Sequence, residues 1–180
     1  MKVVLSGCSG GGKSTLLAEM ARRGYRVCPE PGRQIVREQL TIGGDGVPWD
    51  NPLKFIELCL ARAIALYDSY DSAADDGGFV LFDRSVVDAA SACASLGRPL
   101  PAHIEAAVRR CRYAATVFFT PPWEALFAED SERRHGFADA VTEYERLLAS
   151  YPAHGYTVVV VPRGGVAERA DFLERQLRKL

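Results

Sequence analysis

Gly7-Cys8-Ser9-Gly10-Gly11-Gly12-Lys13-Ser14-Thr15 follows the short apolar run Val3, Val4, Leu5 and leads into Leu16, Leu17, Ala18 and Met20. The nonapeptide satisfies G-x-x-x-x-G-K-[ST], and it stands between a strand-length apolar segment and an amphipathic helix pattern, the context in which that spacing makes a phosphate-binding loop. Glycines at 7, 10, 11 and 12 predict positive-φ backbone whose N–H groups converge on phosphate oxygens. The helix that follows adds its positive N-terminal end, Lys13 is suited to reach the outer phosphates, and the Ser14 hydroxyl is suited to ligate Mg2+. The implied ligand is a magnesium-bound nucleoside triphosphate. Cys8, inside the loop, is expected to be the most reactive thiol, because a helix N-terminus lowers a thiol pKa.

Outward from the loop, Tyr25 to Cys28 reads as a second strand that ends at Pro29-Glu30-Pro31-Gly32-Arg33. The two prolines stop regular pairing and leave Glu30 at a strand's C-terminal end, the edge at which open α/β sheets bind ligands. Glu30 is a candidate general base or acceptor ligand; as an acid beside a helix N-terminus it also has a purely electrostatic explanation. Arg33 and Arg37 share one face of the next helix, and Arg33 is a candidate acceptor contact. Residues 41–52, rich in Gly and Pro, predict a loop over the acceptor site. A long helix from Leu53 to about Ala74 carries Arg62, which either touches the acceptor or snorkels to solvent.

Phe79 to Phe82 is a buried-strand pattern ending at Asp83 and Arg84. A carboxylate in that place suits magnesium, and the adjacent guanidinium suits a phosphate or an acceptor; Asp83 also fits a helix N-cap. After the strand Ala115 to Thr120, the segment of about residues 123–137 reads as a charged lid, in which Arg133 and Arg134 either neutralise transferring charge or form a solvated turn. Tyr156 to Val161 is expected to be the last buried strand. Pro162, Arg163 and Gly164 then form a turn at a strand's C-terminal edge, a candidate loop for the nucleotide base as well as an ordinary turn.

The 180 residues suit a single domain, 1–180, and strand and helix alternate along nearly all of them. Formal net charge is -1, which, without a Lys/Arg block, argues against extended nucleic-acid or membrane binding and for small ligands. Five scattered cysteines give neither a disulfide framework nor a zinc pattern. That usage, and a start that runs straight into the strand, make a cytoplasmic protein the expectation. A homodimer stays open.

Taken together, GCSGGGKST, PEPGR, FDRS and SERRHGF resemble the P-loop nucleoside and nucleotide kinase superfamily, closest to the small AAA-type ATPase/kinase domains related to the ribosylnicotinamide kinase portion of NadR proteins. The resemblance implies a three-layer α/β/α fold with a five-stranded parallel sheet in the order 2-3-1-4-5 and a small lid. It also implies a base at Glu30 and an acidic-Arg pair at Asp83 and Arg84. The expectation is a kinase that uses Mg2+ and ATP on a nucleoside- or nucleotide-like acceptor, and the competing one is a regulatory NTPase with slow hydrolysis.

Overall fold

The computed structural model describes residues 1–70, 78–127 and 136–180. In chain order the strands are β1 (Lys2–Gly7), β2 (Arg26–Cys28), β3 (Val80–Asp83), β4 (Thr116–Thr120) and β5 (Thr157–Val160). The helices are α1 (Lys13–Arg22), α2 (Pro31–Ile42), α3 (Pro52–Ser69), α4 (Val86–Ala94), α5 (Ala102–Arg110), α6 (Phe137–Ala153) and α7 (Val166–Leu177). All strand pairs are parallel, and the sheet runs β2-β3-β1-β4-β5, as the resemblance implies.

Alternation along the central strands divides the core in two, since successive side chains point to opposite faces. Val4, Phe82, Val117 and Phe119 pack with residues of α3, α4, α5 and α6, whereas Val3, Leu5, Leu81 and Phe118 pack with residues of α1 and α7. The parallel register sets Leu5 beside Asp83 and Gly7 beside Thr120, so the phosphate loop, Asp83 and the end of β4 emerge on one edge. Among the described residues no helix is long and apolar enough to cross a membrane.

Local chemistry sets the boundaries. Pro31 occupies the first turn of α2, where its missing N–H costs nothing, and Gly43 (φ 67°) ends that helix, so the loop predicted from Thr41 begins two residues later. Asn51 caps α3 by accepting from the Lys54 N–H at 3.2 Å. The predicted end of α3 near Ala74 lies outside the described residues. The cap of α4 is Ser85, whose hydroxyl accepts from Val87 N while Asp88 accepts from Ser85 N; the capping role considered for Asp83 therefore falls to its second neighbour. β5 is not the buried strand expected: at the sheet edge with a single neighbour, it leaves Thr157 and Val160 exposed.

Candidate functional site

The phosphate loop sits against β4. Gly7 has φ 117°, and a Cβ there would lie 2.3 Å from the Thr120 carbonyl oxygen; Gly10 and Gly12 are also left-handed. Gly11 is not, contrary to expectation. It is required instead by close approach, since a Cβ would stand 2.7 Å from Thr120 Oγ1. Lys13 is buried, and its Nζ donates to the Cys8 carbonyl at 2.7 Å and the Gly7 carbonyl at 3.3 Å. Ser14 and Thr15, in the first turn of α1, are exposed.

Cys8 overturns the reactivity expected of it. Its side chain is 1% exposed, and burial pushes the thiol up, outweighing the lowering influence of Lys13. The other four cysteines are free thiols as well, of which Cys59 alone is only partly buried.

Next to the loop lies a network of carboxylates around one guanidinium. Arg84, at φ 69°, donates from Nε to Glu30 Oε1 at 3.1 Å and from Nη1 to Asp88 Oδ1 at 3.2 Å, and pairs through Nη2 with Glu143 Oε1 at 2.9 Å. Arg33 reaches the other oxygen of Glu30 at 3.5 Å. Burial opposes ionisation of Glu30, but Arg84, Lys13 and Arg33 outweigh it and hold the carboxyl below its ordinary value. Asp83 moves the other way, because burial and the negative charge of Glu30 raise its pKa. Its Oδ1 is buried and has no hydrogen-bond partner among the described residues.

Glu143, on α6, had no signal in the sequence. It accepts from the Ser9 N–H at 2.8 Å, so a carboxylate already occupies one donor of the anion cradle. Despite the opposing effect of burial, Arg84 and Lys13 hold its carboxyl down at about 2. Arg169, on α7, was equally silent: it is buried and donates from Nη2 to the Gly11 carbonyl at 3.0 Å, bracing the loop from the side opposite Glu143. Neither residue belongs to a contiguous motif; only the packing of α6 and α7 against the loop reveals them.

A cavity of about 430 Å³ opens between α2, α3, α4 and α6, and its lining includes Ser9, Glu30, Arg33 and Arg84. Val36, Phe55, Ile56 and Cys59 give it an apolar side, Pro48 and Trp49 bring in the loop after α2, and Asp139, Glu143 and Arg146 come from one face of α6. The volume suits a small organic molecule.

The remaining candidates lie elsewhere. Arg62 is not part of that lining; it bridges α3 to α2 through Gln34 at 2.8 Å and Glu38 at 2.9 Å. Pro162 and Arg163 are exposed, and Arg163 donates to the Pro122 carbonyl at 2.6 Å, tying the turn after β5, which also holds Gly164, to the segment after β4. Arg133 and Arg134 lie outside the described residues. The two sides of that predicted lid are described: Phe127 packs edge-on against Phe137 at 5.6 Å, and its ring covers Gly10.

Among curated proteins, none matches the sequence. The fold is similar to that of deoxyadenosine kinase from M. mycoides with the products dCMP and a flexible dCDP bound, at 16% identity and a TM-score of 0.71, with all of both chains covered. A structure of the same kinase with bound dATP is similar at 14% identity and a TM-score of 0.60, over 99% of this chain and 100% of that one. The family model described as "AAA domain" matches residues 2–169. With a match running from the first strand into the last helix, and with the sheet order and phosphate loop of a P-loop kinase fold, the chain belongs to the AAA domain family.

Proposed function

We propose that this protein is a Mg2+- and ATP-dependent kinase that transfers the γ-phosphoryl group to a hydroxyl of a nucleoside- or nucleotide-like acceptor. The observation that carries the reading is the cavity beside the phosphate loop, whose lining holds Ser9, Glu30 and Arg84 together. A regulatory NTPase needs the loop; it has no use for a second, ligand-sized cavity sharing a residue with it. The nucleotides bound by the similarly folded deoxyadenosine kinase support the same class of acceptor.

The loop backbone and Lys13 hold the triphosphate, and Glu30, kept ionised by its arginines, accepts the proton of the acceptor hydroxyl as that oxygen attacks the γ-phosphorus. The bond between the γ-phosphorus and the β–γ bridging oxygen breaks, and ADP leaves with that oxygen. Arg84, Arg133 and Arg134 are assigned to the charge on the transferring group. Asp83 and Ser14 fit a magnesium ion: Asp83 carries a buried, unpartnered carboxylate oxygen whose ionisation a dication would favour, and Ser14 presents an exposed hydroxyl. Among the described residues no group of three or more His, Cys, Asp or Glu side chains is placed to hold a metal; an ion held by Asp83 and Ser14 would draw its remaining oxygen ligands from the nucleotide and water. When bound, magnesium neutralises the β- and γ-phosphates.

The test is a panel of nucleosides, nucleotides and sugars, scored for stimulated ADP release and for phosphorylated product. One member is expected to raise ATP consumption well above background. Slow hydrolysis indifferent to every acceptor, coupled to nucleotide-dependent binding of another protein, would favour the regulatory NTPase.

A further inference from the structure

Of the three arginines that line the acceptor cavity, Arg84 and Arg146 are in contrasting states. Arg84 shares its charge among Glu30, Asp88 and Glu143, one carboxylate on each of its three nitrogens. Arg146, on α6, donates from Nη1 to Ser91 Oγ at 2.9 Å and has no ion pair among the described residues. A guanidinium carries five N–H donors in a rigid fork. Arg146 is partly buried, and burial pulls its pKa below the ordinary arginine value, the mark of a cation without full compensation.

Its neighbours narrow what it can bind. Asp139, Glu143 and Arg146 recur at i, i+4 and i+7 on the cavity face of α6. Glu143 is engaged by Ser9 and Arg84, and Asp139 accepts from the Gly136 N–H at 3.1 Å, so Arg146 is the member of that face with donors to spare. The apolar side formed by Val36, Phe55 and Ile56 suits the face of a flat ring, which leaves the ring's edge for the polar side. An anionic substituent would be repelled by Glu143 and Asp88, the carboxylates whose charge reaches Arg146, whereas a neutral carbonyl oxygen takes its hydrogen bonds without that penalty.

We propose that Arg146 is a specificity-determining residue that donates to a ring carbonyl of the acceptor, so that the cavity selects oxo-substituted nucleosides over analogues lacking the oxygen. This rests on assigning the cavity to the acceptor. A site built to hydrogen-bond a substrate oxygen rejects the analogue without it, because the buried donors are then left unpaired.

The experiment is calorimetric binding without ATP, using two matched pairs: inosine with purine riboside, and uridine with pyrimidin-2-one riboside. The wild type is expected to prefer the oxo member of at least one pair by about 10- to 100-fold, the range for a hydrogen bond to a charged group. Arg146→Met should bring that ratio close to one, and Arg146→Lys, which keeps the charge and loses the fork, should fall between. Circular dichroism of both variants checks the fold, and if Arg146→Met does not fold, Arg146→Lys alone decides. No preference in the wild type, no binding of any probe, or a preference unchanged in the folded variants would overturn the proposal. Phosphate transfer is assayed separately: an Arg146-dependent preference without transfer would overturn the kinase reading and leave this one standing.

Discussion

The phosphate loop and the cavity beside it meet at Ser9 and are built on opposite plans. The loop is nine consecutive residues whose proposed role rests mainly on backbone N–H groups, with one buried cation, Lys13, held by the loop's own carbonyls. The cavity takes its charged groups from segments far apart in the chain: Glu30 before α2, Arg84 before α4, and Glu143 and Arg146 on α6. In the loop, geometry is local and each side chain has one task. In the cavity, Arg84 serves three carboxylates at once, so each charge is a condition for the state of the others.

The sharpest break between the two regions is expected from a pair of carboxylate variants. Glu30→Gln should lower acceptor phosphorylation by about 10²- to 10⁴-fold, the range for a positioned base, while sparing ATP binding and much of the background hydrolysis. Asp83→Asn should depress hydrolysis and transfer together and weaken the magnesium dependence. Parallel steady-state assays of ADP release and product decide; loss of ATP binding in Glu30→Gln would move that residue to the metal side.

Lys13→Ala is expected to lower turnover by about 10²- to 10³-fold, as for removal of one preorganised charge. Because Lys13 is buried, the melting temperature should fall too: the Gly7 and Cys8 carbonyls lose their donor, and Glu30, Asp83 and Glu143 lose a nearby cation. Near-normal activity in a folded variant would remove the loop's assignment.

The smallest effect is a pH dependence. With its folded pKa depressed to about 2 from 4.5, Glu143 contributes stability that is present above the unfolded value and lost as pH falls from about 4.5 toward 2. The contribution is at most about 3 kcal/mol, since each unit corresponds to about 1.4 kcal/mol and partial exposure reduces it. Thermal melts across that window should slope less steeply in Glu143→Gln than in the wild type. Equal slopes would separate the two regions that this carboxylate joins.

What could be read from the chain divides along the same line. The loop, the strands that flank it, Glu30 and the Asp83-Arg84 pair were visible because each is a short contiguous signal at the end of an apolar run. Glu143, Arg146 and Arg169 were not, because each is an ordinary charged residue of an amphipathic helix until that helix is packed against the loop or the cavity. Burial misled at Cys8 for a related reason, and it also covers Lys13. In the sequence both belong to a glycine-rich loop, while the atoms that crowd that loop belong to Thr120, Phe127 and Arg169, more than a hundred residues away. Arg62 failed in the opposite direction, its interruption of an apolar stripe being explained by Gln34 and Glu38 across a helix pair.

The left-handed backbone of Arg84 bears on how such a site can drift in sequence. For a residue with a Cβ that conformation costs roughly 1–2 kcal/mol, and glycine would relieve it. A glycine there would also strand Glu30, Asp88 and Glu143 without their shared cation. Loss of any one carboxylate, in turn, leaves the strained bend with less to hold it. Single steps away from this arrangement are therefore penalised from both sides, and the position is expected to change only in company: an epistatic set, in which residues 30, 84, 88 and 143 constrain one another more tightly than their separate chemistries would suggest.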